Sequence, residues 1–226
     1  MAVEDEDLEF LKKVLPFWGR ISSAQQEALR EACLPLAYSA GSQMHRGSED
    51  CIGLFVIKSG QVRTYILSDS GKEITLTRLF RGDVCIFSAS CMMKNIRFDV
   101  FIEAVQPSSV LLIPTAVYEE LNQSSLAVSD YTNQLLSSGF SDAMWVMEQV
   151  LFMSFDRRLA LFLLEQSAID SGDTLSVTHE EIANHMGTAR EVVTRMLRYF
   201  QQEGLVRLSR GKIGITDRRG LSRLAR

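Results

Sequence analysis

The sequence predicts an α+β chain in three parts: an antiparallel β-barrel or sandwich, a long helix, and a helix-turn-helix with a β-wing. Three observations point there. Residues 36–114 alternate short β-rich runs with turn signals about every ten residues. Residues 127–153 carry apolar side chains at spacings of three and four, the helical period. Residues 176–208 hold two helix-start signals around a glycine-containing turn. The corresponding boundaries are 1–126, 127–153 and 154–226.

The chain opens with helical patterning from Leu8 to about Leu15 and again in "SSAQQEALREACL". Runs such as "GLFVIKSGQVRTYIL" and "SVLLIP" follow, punctuated at Gly41, Gly47, Gly60, "SDSGK" and "RGD". The stretch "VRTYILSDSGKEITLTRLF" alternates apolar residues on both sides of Asp69-Ser70-Gly71, which predicts a hairpin.

From about Ala127 to Met153, Leu136, Phe140, Met144, Met147 and Leu151 share one helical face. A helix of this length spans roughly 40 Å, more than a small domain needs. Such a stripe between two domains predicts a dimer seam; packing against its own barrel is the alternative. Gly139 weakens the helix locally and marks a bend or a close approach. Ser154-Phe155-Asp156 is the expected hinge. The helix that begins in "SFDRRLALFLLEQSA" is broken by "SGD" at 171–173.

In "SVTHEEIANHMGTAREVVTRMLRYFQQEGLVRL", Thr178 and Glu181 fit a capping box, with Ile182, Ala183 and Met186 on the buried face of the helix they start. Gly187 ends that helix, and Thr188 with Glu191 offers a second box. On the second helix Val193, Met196, Leu197 and Phe200 form the inner stripe. At 100° per residue Arg190, Glu191, Thr194, Arg195 and Arg198 share the outer side. Arginine donates two hydrogen bonds to guanine O6 and N7, and glutamate accepts from cytosine N4, so this face suits the major groove of duplex DNA. "LVRLSRGKIGITD" predicts two strands about Arg210-Gly211-Lys212, a basic wing for phosphates, with His179 a further phosphate candidate.

Charge agrees with this assignment. The chain carries −4 overall, but residues 187–226 hold ten Lys+Arg against three Asp+Glu, while residues 1–153 net −7. A basic end on an acidic body suits a polyanion there alone. The acidic opening "MAVEDEDLEF" and the lack of an 18-residue apolar run argue against secretion or membrane insertion. Four cysteines without a Cys-x-x-Cys pair predict a reduced, cytoplasmic protein rather than a disulfide framework.

"THEEIANHMGTAREVVTRML", with Arg190, Glu191 and Arg195, and "GLFVIKSGQVRTYILSDSGKEITLTRLFRGD", with its spaced glycines, resemble the CRP/FNR superfamily of bacterial transcription regulators over nearly the whole chain. The resemblance implies a jelly-roll sensor barrel of the cyclic-nucleotide-binding type, a dimerisation helix and a winged helix-turn-helix. It implies a homodimer on palindromic DNA with TGTGA-like half-sites, controlled by an effector in the barrel. RNA polymerase is a further candidate partner.

The sequence departs from the family's two best-known sensor chemistries. In "GDVCIFSASCMMKNIRFDVFIEA", Ile86-Phe87 stands where the cAMP-binding branch has Gly-Glu. Arg97 is followed by Phe98-Asp99 rather than a small hydroxyl residue and Ala, and Asp99 repels a cyclic phosphate. No cysteine precedes Cys33, which argues against the iron–sulfur branch. His45 is the one histidine before 179 and a weak haem candidate. No cofactor is evident. The expected effector pocket holds Cys85, Phe87, Cys91, Met92 and Arg97, which suits an apolar or thiol-reactive effector provided a thiol is exposed. Otherwise the cysteines serve as small apolar core residues. An enzyme of the metal-dependent barrel type needs several converging histidines, which the barrel lacks. A ligand-binding or protein-interaction module with a degenerate winged helix is the remaining alternative.

Overall fold

The computed structural model describes residues 4–47, 52–92 and 99–226, with the side chains of 90–92 left aside. The chain divides into two compact units, 1–67 with 76–143 and 68–75 with 144–226.

The first unit begins with helices α1 (Asp5–Val14) and α2 (Ser23–Ala32). Ser22 caps α2 through a reciprocal box with Gln25. Among the described residues eight strands follow: β1 (Leu34–Tyr38), β2 (Gln43–Arg46), β3 (Gly53–Ser59), β4 (Val62–Leu67), β5 (Glu73–Leu79), β6 (Val84–Cys85), β7 (Phe101–Ala104) and β8 (Ser108–Pro114). They form two four-stranded sheets, β1-β8-β3-β6 and β2-β7-β4-β5, the double-sheet arrangement of a jelly roll. β4 and β5 lie side by side as the arms of the predicted hairpin. β3 is buried from Gly53 to Ile57 and pairs antiparallel with β8, Phe55 opposite Leu112 and Val56 opposite Leu111. One core cluster gathers Met44, Phe55, Ile57, Val62, Cys85, Ile102 and Val110. A second joins the barrel to its helices through Leu11, Leu15, Phe17, Leu29, Leu54 and Tyr118.

Sequence patterning misses α3 (Thr115–Ser124), which precedes the long helix α4 (Leu126–Phe152). On α4 only Ala127, Val128 and Thr132 are buried, and Thr132 Oγ1 lies 2.7 Å from Tyr118 Oη of α3. The compact units part at 143/144, inside α4, whose early turns belong to the first core, where Tyr131 and Leu135 pack too.

The second unit contains α5 (Phe155–Ile169), β9 (Thr174–Leu175), α6 (His179–Met186), α7 (Arg190–Gln202), β10 (Val206–Ser209), β11 (Lys212–Ile215) and α8 (Arg218–Leu224). Its core draws Leu159 and Leu163 from α5, Ile182 and Met186 from α6, and Val193, Leu197 and Phe200 from α7. The wing has three strands, in the order β10-β11-β9, not two. No helix among the described residues is long and apolar enough to cross a membrane.

Candidate nucleic-acid interface

The recognition motif is built from its caps. At the start of α6 the Thr178 hydroxyl accepts from Glu181 N at 3.1 Å, and the Glu181 carboxylate accepts from Thr178 N at 2.6 Å. This satisfies two donors that a helix start leaves open. Gly187 closes α6 with φ +68°, a left-handed conformation costly for residues bearing a Cβ. Thr188 N then donates back to Ala183 O at 3.1 Å.

That closure shifts the next helix. α7 starts at Arg190, and its N-cap is Ala189 with no side-chain cap. The box expected between Thr188 and Glu191 does not form, because Glu191 stands two positions after the cap rather than three. Thr188 is half-buried in the turn.

The two faces of α7 separate as the period predicts. Val193, Leu197 and Phe200 are buried and Met196 packs against them. Arg190, Glu191, Arg195 and Arg198 are exposed, and Thr194 is half-buried. The Thr194 hydroxyl donates to Arg190 O at 2.9 Å and lies 2.9 Å from His179 Nδ1 on α6. Burial, and then the charges of Arg190 and Arg198, hold the His179 pKa below the usual imidazole value.

The wing pairs Arg207 with Gly214 and Ser209 with Lys212, and Ile213 points into the core. Arg207, Ser209, Arg210 and Lys212 are exposed. A pocket of about 430 Å³ lies between α6, α7 and the wing, bordered by Thr178, His179, Arg190, Ser209 and Lys212. Of the candidate DNA-contacting residues, Thr178, His179, Arg190 and Lys212 thus border one pocket, and Glu191, Arg195 and Arg198 are exposed on α7.

The α4 stripe is open to solvent. Phe140, Met144, Met147 and Leu151 are exposed, Phe140 at 68%, with Trp145, Val150 and Phe152 also exposed; Leu136 is half-buried.

In the first unit Cys85 is buried in the barrel core, where burial pushes its thiol up to about 11. It is a small core residue and not an accessible thiolate. Phe87 packs against the same cluster and opens a 3-10 turn over 87–92. Arg97 and the side chains of Cys91 and Met92 lie outside the described residues. His45 is buried on β2. Among the described residues no group of three or more His, Cys, Asp or Glu is arranged to hold a metal ion.

Residues 35–125 match the cyclic nucleotide-binding domain model, and residues 157–224 match the Crp-like helix-turn-helix domain model. The chain is 28% identical over 195 residues to the transcriptional activator protein FnrA of Stutzerimonas stutzeri, covering 82% of this chain and 78% of that one. It is 27% identical over 195 residues to electron transport regulator A of Shewanella oneidensis, covering 82% and 76%. A solved transcriptional regulator of the CRP/FNR family from Eubacterium rectale superposes with a TM-score of 0.92 at 48% identity, over 94% of this chain and 99% of that one. A sensor-type barrel followed by a capped helix-turn-helix and wing, in that order and matched over both domains, makes this chain a member of the CRP/FNR family of DNA-binding transcription regulators.

Proposed function

We propose that two copies of the chain pair along α4 and set their α7 helices into successive major grooves of a palindromic promoter site with TGTGA-like half-sites. Arg190 and Arg195 read guanine, Glu191 accepts from cytosine N4, and Arg198 with the wing residues Arg210 and Lys212 engages backbone phosphates. The observation that carries this reading is the exposed row Arg190, Arg195 and Arg198 above a buried Val193-Leu197-Phe200 stripe. That intact face also disfavours a degenerate winged helix. The half-sites of such a dimer lie about 34 Å apart, one helical turn of DNA.

The barrel is the sensor. Ile86-Phe87 and Phe98-Asp99 suit neither the ribose nor the phosphate of a cyclic nucleotide, and burial of Cys85 removes one of the two thiols. A small apolar effector beside Phe87 and α4 fits these residues better than thiol chemistry at Cys85. The protein works without catalysis in the bacterial cytoplasm, with RNA polymerase as its partner at the promoter.

Fluorescence anisotropy with a palindromic TGTGA duplex and a scrambled duplex, repeated across salt, tests the reading. Preference for the palindrome and a steep loss of affinity with salt are expected, since phosphate contacts release counterions. Equal affinity for both duplexes refutes the base-reading assignment, and no binding at any salt refutes the DNA interface.

A further inference from the structure

His179 borders the pocket between α6 and the wing, and its hydrogen bonding fixes which ring nitrogen carries the proton. A hydroxyl has a single proton to give. Thr194 spends its own on Arg190 O at 2.9 Å. His179 Nδ1, also 2.9 Å from Thr194 Oγ1, is therefore the donor of that contact. In a neutral ring protonated at Nδ1, Nε2 holds only a lone pair.

The pocket suits an anion. Arg190 borders it from α7 and Lys212 from β11, with the Thr178 hydroxyl beside them, while the Ser209 hydroxyl donates its proton to Lys212 O at 3.4 Å. Glu180 is the carboxylate among the lining residues, and Glu181 is committed to the Thr178 cap. Elsewhere on these elements, α7 carries Arg198, whose charge acts on His179, with Glu191 and Arg195, and the wing turn carries Arg210. Phosphate oxygens only accept hydrogen bonds, so they meet a lone pair at neutral His179 and a donor at protonated His179.

We propose that this pocket seats one DNA backbone phosphate, and that seating it draws a proton from solvent onto His179 Nε2, which makes DNA binding proton-linked. The inference rests on the DNA-binding reading above. In the free chain burial and the charges of Arg190 and Arg198 keep the ring neutral near pH 7. A phosphate in the pocket reverses that balance, so affinity rises as pH falls. Because the backbone is the same in every sequence, palindromic and scrambled duplexes share the effect.

The test is anisotropy of the full chain on both 30-base-pair duplexes (a length of about three helical turns) at fixed salt, from pH 8.0 to 5.8. Wild type is expected to tighten by roughly fivefold or more on each. His179→Asn keeps a donor for Thr194 but has no Nε2, and its change is expected to stay below about twofold. His45 and His185 remain in that variant, so the difference isolates His179. Thr194→Val frees neutral His179 to carry its proton on Nε2, and binding at pH 8.0 rises towards the acid value. Nitrogen-15 NMR of the wild-type imidazoles serves as a second readout, with an Nδ1-protonated ring in the free protein and an upward pKa on adding DNA. A wild-type affinity flat with pH, full pH dependence in His179→Asn, or an Nε2-protonated free ring each overturns the proposal while leaving DNA binding intact. Failure to bind either duplex at any pH overturns the DNA reading and the phosphate seat together.

Discussion

The Phe87 ring lies against Gly139 of α4 so closely that a Cβ added there would stand 3.0 Å from Phe87 Cζ. A glycine in the middle of a helix costs about 1 kcal/mol relative to alanine, and here it makes room for a ring from the 3-10 turn over 87–92. Gly139→Ala sets this helix gain against a small retreat of the ring, and urea unfolding is expected to move by less than about 1 kcal/mol. In a Phe87→Ala background nothing opposes the gain, so the same change stabilises by about 1 kcal/mol. Equal effects in the two backgrounds would show that ring and helix do not communicate.

Arg190→Ala and Arg195→Ala each cost about 1–3 kcal/mol of affinity on the palindrome and relax the preference at one base position. Arg198→Ala and Lys212→Ala weaken palindromic and scrambled duplexes alike. Binding measured against a panel of single-base variants separates the two classes, and an unaltered preference in both recognition mutants contradicts the assignment.

The two threonines at the helix starts behave differently. Thr178→Ala removes a formed cap and is expected to cost about 1 kcal/mol. Thr188→Ala removes no cap, and its effect stays within about 0.5 kcal/mol. Thermal unfolding of both variants decides, and equal losses would restore the second capping box.

Phe140→Lys places a charge within the α4 stripe and Leu151→Lys one at its C-terminal end. Sedimentation equilibrium is expected to shift these variants to monomers at micromolar concentration, and DNA affinity falls with the dimer. Dimers that survive both substitutions would move the seam off α4.

Cys85 ties stability to alkali. Its thiol ionises near 8.5 in an unfolded chain but only near 11 when folded, so between those values the unfolded state holds fewer protons. The stabilisation is complete below about pH 8.5 and is lost as pH climbs towards 11. Cys33, raised to about 12 mainly by burial, acts in the same direction. At pH 7.5 iodoacetamide should modify Cys85 only after urea is added, as peptide mass spectrometry reports; rapid native labelling would return Cys85 to the list of accessible thiols.

Where local chemistry alone sets the structure, the sequence is legible. The Thr178 box, the Gly187 stop and the α7 stripe follow from cap and period. The start of α7 is not legible, because the closure around Gly187 decides whether Thr188 or Ala189 precedes the helix. β9 has two residues and forms only because Leu175 lies opposite Ile213, a pairing no local pattern carries. α8 contains Gly220 and a run of arginines, so it looks like a solvated tail. It is held by burial of Leu221 and by Arg157 reaching Ala225 O at 3.2 Å. The tautomer of His179 needs α6 and α7 together, since Thr194 lies fifteen residues away.

The buried Tyr118–Thr132 hydrogen bond, with Leu135 and Gly139 one and two turns on, ties the first half of α4 to its own protomer. Beyond those turns the apolar stripe is exposed, and if copies pair along it as proposed, its burial depends on how often they meet. Cellular abundance then becomes an input in its own right. On that reading a scarce regulator occupies its DNA site weakly and an abundant one occupies it well.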